Sequence, residues 1–269
     1  TGAVSEPTDD SVDGVPGDSE GAQEPPPSPI APDRPAAYKA LLHSVSKNAD
    51  ALEDIESPAA QAFSWMVAED PLSLDPSEPA NAFRIQQRYA LVTQFFASAG
   101  WANQEGWIDA DDECEWFGVT CEEQDLAEFG THQAVVRLEM ERNNVGVVTP
   151  DLALLSRLRV LNLSVNPLED FPTAVLGLQE LRELLLRSCV LRDDISSLDW
   201  SQLVNLEILD LSENLLIGSL NDSFYSMSNL RQVLIGTGSL LSGSISPQIG
   251  EMQNLESFDA NSNQFRGLI

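Results

Sequence analysis

The feature that most constrains the fold of this chain is an apolar pattern that recurs six times between Val135 and Phe265. Each copy reads L-x-x-L-x-L, followed three residues later by a small polar residue or cysteine and then by another apolar residue. Successive copies start 23, 23, 25, 24 and 25 residues apart. We number these copies as rungs 1 to 6: Val135/Leu138/Met140/Asn143/Val145, Leu158/Leu161/Leu163/Asn166/Leu168, Leu181/Leu184/Leu186/Cys189/Leu191, Leu206/Leu209/Leu211/Asn214/Leu216, Leu230/Val233/Ile235/Ser239/Leu241 (with one inserted residue) and Leu255/Phe258/Ala260/Asn263/Phe265. So regular a period predicts stacked copies of one structural unit.

The alternation within each rung predicts a short strand with one buried face, because strand side chains point to opposite sides with period two. The asparagine comes where the chain leaves the strand. Its amide can bond backbone groups that the turn would otherwise leave buried without a partner. A single rung cannot bury its own leucines, so the core forms only when neighbours stack. The pattern therefore predicts a solenoid with a parallel sheet.

The consensus and its period resemble the leucine-rich-repeat family. The resemblance implies an α/β solenoid, a right-handed superhelix with the parallel β-sheet on its concave face, whose default role is to display a binding surface. Residues 214–220 and 241–250 resemble plant-type repeats, whereas 166–172 resembles the shorter 23-residue kind. Cys189 stands in the asparagine position of rung 3, which the family pattern allows, and we expect it to be a buried structural thiol.

A second motif, Cys114-Glu-Trp116-Phe-Gly118-Val-Thr-Cys121, precedes the first rung. It resembles the C-x-W-x-G-V-x-C core of the N-terminal cap in plant-type leucine-rich-repeat proteins. The resemblance implies a disulfide between Cys114 and Cys121, with two free thiols as the alternative. Closing so short a loop stabilises by about 2–3 kcal/mol. Trp116 and its neighbour Phe117 offer apolar area to cover the open end of the solenoid.

Residues 57–269 as a whole resemble plant-type leucine-rich-repeat cell-surface proteins, and the cap with its preceding Arg88-Tyr89-Ala-Leu91 segment looks most like versions from stramenopile algae such as diatoms. Ahead of the cap, the apolar spacing of residues 81–100 predicts an amphipathic helix. Ser57 followed by Pro58 predicts the start of a second helix, through residue 68. Residues 37–55 give a weaker helical pattern. We expect these helices to pack on the end of the solenoid, with partner binding as the alternative.

The chain thus divides into three predicted parts. Residues 1–35 are rich in Pro, Gly, Ser, Asp and Glu without apolar periodicity, and we expect a disordered acidic stalk or linker. Residues 36–134 form the helical region and cap, and residues 135–269 form the repeats. Since the chain starts without Met and stops midway through the sixth rung, we expect it to be a segment of a longer polypeptide, with an anchor or further repeats possible outside it.

Charge and cysteine use bear on partners and compartment. The net charge is −29, with 26 acidic and 5 basic residues before Val135 and 17 acidic and 9 basic from there on. This sign excludes a general binder of nucleic acid or of anionic membrane. The implied disulfide indicates an oxidising, extracellular location. The sequons at Asn162 and Asn221 are compatible with glycosylation there, although a glycan on Asn162 would block the concave face.

By the family's usual mode, a peptide, protein or glycan would bind the outward residues of the strands. The candidate binding residues are Arg137, Arg142, Arg159, Arg182, Arg187, Asp210 and Arg231. Their distribution predicts a groove with a basic N-terminal half, suited to a peptide or an acidic glycan. Alternatively, Arg182, Glu207, Arg231 and Glu256 fall in one column of consecutive rungs and could pair as a surface ion ladder, each pair contributing about 0.5 kcal/mol. Arg142, Arg159 and Arg187 show no opposite charge in their column, which makes them the better contact candidates.

No catalytic, cofactor or metal motif is present, so we predict a protein that is not an enzyme. His43 and His132 stand in no nucleophile or metal motif. The acidic run from Asp109 to Glu113 lacks the spacing of a calcium loop, and we expect a solvated acidic loop. Two functions remain, a receptor-like recognition ectodomain without cofactor, or a structural and adhesive wall or matrix protein. An inhibitor of a wall-degrading enzyme is a third.

Overall fold

The computed structural model describes residues 33–98, 100–109 and 112–267. The predicted stalk of residues 1–35 lies outside these ranges apart from its last three residues, so it stays a prediction. The described residues form a helical cap region followed by the repeats, in the order that the sequence predicts. The division at residues 36 and 135 likewise stays a prediction.

Three α-helices precede the repeats in the described part of the chain: α1 (Arg34–Val45), α2 (Pro58–Ala68) and α3 (Ala82–Ala97). The Ser57 side chain accepts a hydrogen bond from the Ala60 backbone N–H at 3.0 Å, which caps α2 where the sequence predicts its start. The weak helical pattern of residues 37–55 becomes α1 and a separate 3₁₀ turn, Ala49–Glu53. Within the described ranges, no helix has the length and apolar character needed to cross a membrane.

The strands of the described chain form one main sheet of seven, in the order β1-β2-β3-β4-β5-β7-β9. β1 and β2 are antiparallel, and every later pair is parallel. The strands are β1 (Val119–Leu126), β2 (Gly130–Glu139), β3 (Val160–Asn162), β4 (Glu183–Leu185), β5 (Ile208–Asp210), β7 (Gln232–Leu234) and β9 (Ser257–Asp259).

The central apolar residue of each rung stands opposite its counterpart in the next. This column is Leu138, Leu161, Leu184, Leu209, Val233 and Phe258. The first five are at most 1% exposed and join one continuous hydrophobic core that runs from α1 through the repeats. The predicted fold class, a leucine-rich-repeat solenoid with a parallel sheet, is confirmed.

The chain returns from each strand along the far side of the rung in short turns rather than long helices. These segments are the 3₁₀ turns Pro150–Leu154, Thr173–Gly177, Ile195–Ser197 and Pro247–Glu251, and the one-turn helix α4 (Asp222–Tyr225). β6 (Ile217–Gly218) and β8 (Leu240–Leu241) pair in parallel beside them. Because the returns are short, successive strands keep their register.

The asparagine ladder satisfies the backbone where each strand ends. Asn166 Oδ1 accepts from the backbone N–H groups of Asn143 and Val145, both at 2.9 Å, and Asn166 Nδ2 donates to the Met140 carbonyl at 2.8 Å. Cys189 fills the same slot, and its thiol donates to the Leu163 carbonyl at 3.1 Å. Burial raises the pKa of this thiol to about 11. The expected buried structural thiol is confirmed.

The cap is closed by the implied disulfide between Cys114 and Cys121, whose Cα atoms lie 5.5 Å apart. Trp116, only 1% exposed, packs against Trp107 with ring centroids 5.0 Å apart. Gly118 has a φ of +78°, and a Cβ there would collide with the Glu139 carbonyl oxygen. The glycine of the motif therefore lets the cap loop lie directly against the first repeat strand.

A buried charge network holds the cap to its helices. Arg88 forms ion pairs with Asp70 and Glu113, both at 2.7 Å, and all three side chains are 0% exposed. The Arg88 guanidinium also lies over the rings of Trp65 and Trp116, at 5.5 and 5.2 Å from their centroids. The expectation of a solvated acidic loop is wrong for Glu113. Its partner Arg88 lies on α3, 25 residues earlier in the sequence.

Candidate binding surface

The outward side of the parallel sheet is the surface on which the sequence places the candidate binding residues. We call it the sheet face: the outward side chains of β2 to β5, β7 and β9, together with the residues that flank each of these strands. Because side chains alternate along a strand, the neighbours of the buried leucines point outward. Thus Glu183 and Leu185 flank Leu184 on β4, and Ile208 and Asp210 flank Leu209 on β5.

The predicted ion ladder forms as two separate pairs. Arg182 Nη1 lies 3.4 Å from Glu207 Oε1, and Arg231 Nη2 lies 2.8 Å from Glu256 Oε1. The hydrogen bond to Glu256, with the charge of that carboxylate, raises the pKa of Arg231 above its usual value. Exposed pairs of this kind contribute about 0–1 kcal/mol each, because water screens them and ordering long side chains costs entropy.

Arg159 and Arg187 have no opposite charge in their own column, but each pairs with a carboxylate from outside it. Arg159 Nη1 lies 2.6 Å from Glu122 Oε2, and Arg187 Nη2 lies 2.5 Å from Glu213 Oε1. The hydrogen bond to Glu213 raises the pKa of Arg187. Glu122 was missed because it lies on β1, the antiparallel cap strand, outside the repeat register. Glu213 was missed because it lies in the turn after β5, where its φ of +57° places it out of the strand column.

Arg137 and Arg142 also have carboxylate neighbours. Arg137 Nη2 lies 3.0 Å from Glu139 Oε1 on the same strand. Arg142 Nε lies 3.7 Å from Glu141 Oε1, and its side chain is 74% exposed. Every arginine proposed as a contact therefore stands beside a carboxylate. The predicted basic half of the groove is neutralised within the folded chain.

The charges left over on the sheet face are acidic. Glu183, Asp210 and Asp259 form no ion pair with the described residues. Asp210 Oδ1 accepts only from Ser212, and Asp259 Oδ1 only from Asn261, each within its own turn. The same columns carry aliphatic side chains that point away from the core and stay partly exposed: Leu185, Ile208 and Leu234. The surface thus alternates carboxylates with apolar side chains.

The two sequons differ in the use of the amide nitrogen to which a glycan would attach. Asn221 Nδ2 donates to the carbonyls of Ser196 and Leu198, at 2.9 and 2.7 Å, so the folded protein uses this atom internally. Asn162 lies on the sheet face and only its Oδ1 is engaged, by the Ser164 backbone N–H at 3.0 Å. Glycosylation at both sites stays a prediction, and Asn162 has the more accessible nitrogen.

The two histidines, His43 and His132, each lie beside a hydrogen-bonding neighbour. His43 Nε2 lies 3.2 Å from Glu53 Oε1, and His132 Nε2 lies 2.8 Å from the Phe129 carbonyl oxygen. Across residues 33–98, 100–109 and 112–267, no three His, Cys, Asp or Glu side chains are grouped so that they could hold a metal ion.

Comparison with known proteins agrees with this architecture. The Leucine Rich Repeat family profile matches residues 205–227, which contain rung 4 up to α4. The leucine-rich-repeat ectodomain of the receptor kinase SOBIR1 from Arabidopsis thaliana aligns with a TM-score of 0.52 and 33% identity, over 58% of this chain and 86% of that one. The PEPR1-AtPEP1 crystal structure aligns with a TM-score of 0.56 and 27% identity, over 69% of this chain and 25% of that one. The ectodomain of the Arabidopsis receptor kinase HAESA, in complex with an IDA peptide hormone ligand, aligns with a TM-score of 0.50 and 26% identity. The alignment covers 59% of this chain and 26% of that one.

The chain belongs to the leucine-rich-repeat family, and the proteins it is similar to include plant receptor ectodomains. It spans only 6% to 14% of the length of the curated relatives it matches, which are two disease resistance proteins, receptor-like protein 39 and phytosulfokine receptor 1, all of Arabidopsis thaliana. The resemblance to algal versions of the cap stays a prediction.

Proposed function

We propose that this chain is a non-catalytic extracellular recognition domain that binds a peptide or protein partner across its sheet face. The solved ectodomains that it resembles support this assignment, since one of them is described in complex with a peptide hormone ligand. The disulfide in the cap is consistent with an oxidising compartment.

The observation that carries the proposal is the mixture of side chains that the fold leaves outward and unused. Leu185, Ile208 and Leu234 face away from the core. Beside them stand the carboxylates of Glu183 and Asp210, which form no ion pair with the described residues, although their charges act on Arg137 and Arg187. Burying exposed apolar side chains against a partner is favourable in free energy, and so is pairing a carboxylate with a cation of the partner.

These two properties define the ligand as a peptide segment with both basic and apolar side chains. An acidic peptide or acidic glycan would have to displace the carboxylates that already hold Arg159 and Arg187. A basic segment meets available carboxylates without breaking either pair. The net charge of −29 would also steer a cationic ligand towards the chain.

The test uses the intact 269-residue chain in its oxidised form. Binding of three probes is measured by calorimetry: a basic amphipathic peptide library, the same library with acidic residues in place of basic ones, and an oligogalacturonate. We expect the basic library to bind, and Asp210→Lys to weaken binding about tenfold or more. Glu251→Lys is the matched control, because Glu251 is an exposed acid in a return turn, away from the sheet face.

Other outcomes distinguish the alternatives. If the acidic probes bind and Arg159→Ala and Arg187→Ala abolish that binding, the ligand is anionic, as the sequence pattern alone predicts. If no probe binds and only the paired arginines matter for stability, the sheet face is structural. The ion pairs Arg182–Glu207 and Arg231–Glu256 are the observation that favours this adhesive or structural alternative.

A further inference from the structure

One column of the sheet face alternates leucine and aspartate from rung to rung. Leu185 on β4 stands opposite Asp210 on β5. Asp210 stands opposite Leu234 on β7, which stands opposite Asp259 on β9. All four residues are partly exposed, and we call them the alternating column. Neighbouring strands lie about 4.8 Å apart, so the two carboxylates are about 9.6 Å apart along the solenoid, and so are the two leucines.

The alternation is confined to rungs 3 to 6. The residues that occupy this position in the first two rungs are Glu139 on β2 and Asn162 on β3. Glu139 is held in an ion pair with Arg137 at 3.0 Å, and the Asn162 side chain is neutral. A cationic ligand therefore meets the carboxylates of this column in rungs 4 and 6, with an apolar rung between them.

Both carboxylates are held in place through one oxygen. Asp210 Oδ1 accepts from the backbone N–H and the hydroxyl of Ser212, at 3.0 and 2.5 Å. Asp259 Oδ1 accepts from the backbone N–H and the side-chain amide of Asn261, at 3.0 and 2.7 Å. Within the described part of the chain, no hydrogen bond or ion pair uses Oδ2 of either aspartate. Each turn therefore fixes its aspartate and leaves one carboxylate oxygen as an acceptor.

Asp210 also lies near a cation of its own chain. The pKa of Arg187 is raised first by the hydrogen bond and charge of Glu213, and to a smaller extent by the charge of Asp210. Arg187 Nη2 is bonded to Glu213 Oε1 at 2.5 Å, so this guanidinium is already held. The attraction between Asp210 and a cationic ligand is therefore reduced by Arg187 but not cancelled.

The spacing of the alternating column matches one backbone conformation of a peptide. A polyproline II helix rises about 3.1 Å per residue and repeats every three residues, so side chains three positions apart point the same way at about 9.3 Å. This distance is close to the separation of about 9.6 Å between alternate rungs. In a β-strand, neighbouring side chains of one face are about 6.8 Å apart, which fits neither one rung nor two.

We propose that the alternating column selects peptides in the polyproline II conformation whose basic residues stand three positions apart, with an apolar residue between them. This inference rests on the proposed function, because it defines the ligand of the same sheet face. The two basic side chains pair with Asp210 and Asp259, and the apolar side chain covers Leu234 between them. A proline-rich peptide already adopts this conformation when free, so binding orders it little further.

The test uses the intact chain in its oxidised form, produced without glycosylation because Asp210→Asn creates a sequon with Ser212. Fluorescence anisotropy measures the binding of three labelled peptides of identical length and composition, made only of arginine, leucine and proline. Their two arginines stand two, three or four positions apart. We expect the peptide with a spacing of three to bind at least about threefold more tightly than either of the others.

Two variants remove the charges without removing the turns. Asp210→Asn and Asp259→Asn each keep an oxygen for the local hydrogen bond, as Asn162 does at the equivalent position by accepting a backbone N–H at 3.0 Å. Each should weaken binding of the spacing-three peptide about three- to tenfold. Asp199→Asn is the matched control and should leave binding unchanged. Asp199 Oδ1 accepts a backbone N–H at 3.0 Å in the same kind of turn, but in the return segment between β4 and β5.

The outcomes separate this inference from the proposed function. If the three peptides bind equally, or if the advantage of spacing three survives in both aspartate variants, the alternating column does not read the spacing and the proposed function stands. Tighter binding of the spacing-two peptide would overturn the inference in favour of a β-strand ligand. If none of the three peptides binds but the basic amphipathic library does, only the inference fails. If neither binds, both fail.

Discussion

The cap and the repeat array are stabilised in different ways. In the cap, charges are buried: Arg88, Asp70 and Glu113 have 0% exposed side chains and bond across 18 and 25 residues of sequence. In the array, the ion pairs are exposed and join neighbouring rungs, as Arg231 and Glu256 do. The strand side of the array core is mainly aliphatic and repeats from rung to rung, and its aromatic contacts, between Phe171, Trp200 and Phe224, lie on the return side. The cap core instead contains Trp101, Trp107 and Trp116 in direct contact.

The difference follows from the task of each region. Each internal rung is covered by two neighbours, so its stability is shared along the array. The cap must cover an open apolar end with residues that do not repeat, so it depends on a few specific long-range interactions. Single substitutions should therefore lower the free energy of unfolding most in the cap and least on the exposed surface of the array. The following experiments test that order.

The largest effect is expected for Glu113→Gln. This change removes the ion pair between Glu113 and the buried guanidinium of Arg88 and weakens the contact of Arg84, whose Nη2 lies 2.9 Å from Glu113. Breaking a buried ion pair from one side costs about 3–5 kcal/mol. Urea unfolding measures the loss. Glu115→Gln, an exposed acid two positions away, is the control and should change stability by less than about 0.5 kcal/mol. Equal effects of the two changes would contradict the special role of the cap network.

Removing the disulfide should lower the free energy of unfolding by less than Glu113→Gln does. The double change Cys114→Ser and Cys121→Ser frees a short loop, and the chain-entropy argument gives a loss of about 2–3 kcal/mol. The measurement compares urea midpoints of the double variant with those of the parent, oxidised and reduced. The reduced parent should match the variant. A midpoint that is the same with and without the bond would mean that aromatic packing alone closes the cap.

Within the array, Cys189 should make the stability of the protein depend on pH. Its folded-state pKa is about 11, raised by burial from the ordinary value of 9.0. Because the folded pKa is the higher one, the stability from keeping the thiol protonated is present below pH 9 and is lost as pH rises towards 11. Between pH 8 and pH 10.5 the parent should therefore lose about 1–2 kcal/mol more than Cys189→Ala. Parallel losses in the two proteins would show that the thiol does not titrate in this range.

The smallest effect is expected for the exposed pair Arg231–Glu256, with N···O at 2.8 Å. A double-mutant cycle with Arg231→Ala and Glu256→Ala should give a coupling free energy of about 0.2–1 kcal/mol that shrinks in 1 M salt. A coupling above 2 kcal/mol, or one that salt leaves unchanged, would mean that array ion pairs are as important as those of the cap.

Much of this architecture was predictable from the sequence because its determinants are local and repeated. The position of Leu209 in its strand, of Asn214 at the strand end and of Cys189 in the ladder all follow from a period that can be read along the chain. The start of α2 at Ser57 and Pro58 is likewise a local signal, because a cap bonds within its own first turn. The disulfide was predictable from the cap motif through its resemblance to the family.

The tertiary structure alone decided where the charges go. Glu113 reads as one more acid in a solvated run until α3 brings Arg88 against it, and Arg159 reads as available for a ligand until β1 places Glu122 at 2.6 Å. The hydrogen bond between Ser46 and Asp151 has no motif at all, since the two residues lie 105 positions apart and meet only through packing. Periodicity specifies which side of an element is buried, but a charge interacts with whatever the fold brings within a few ångströms, and no local pattern records that distance.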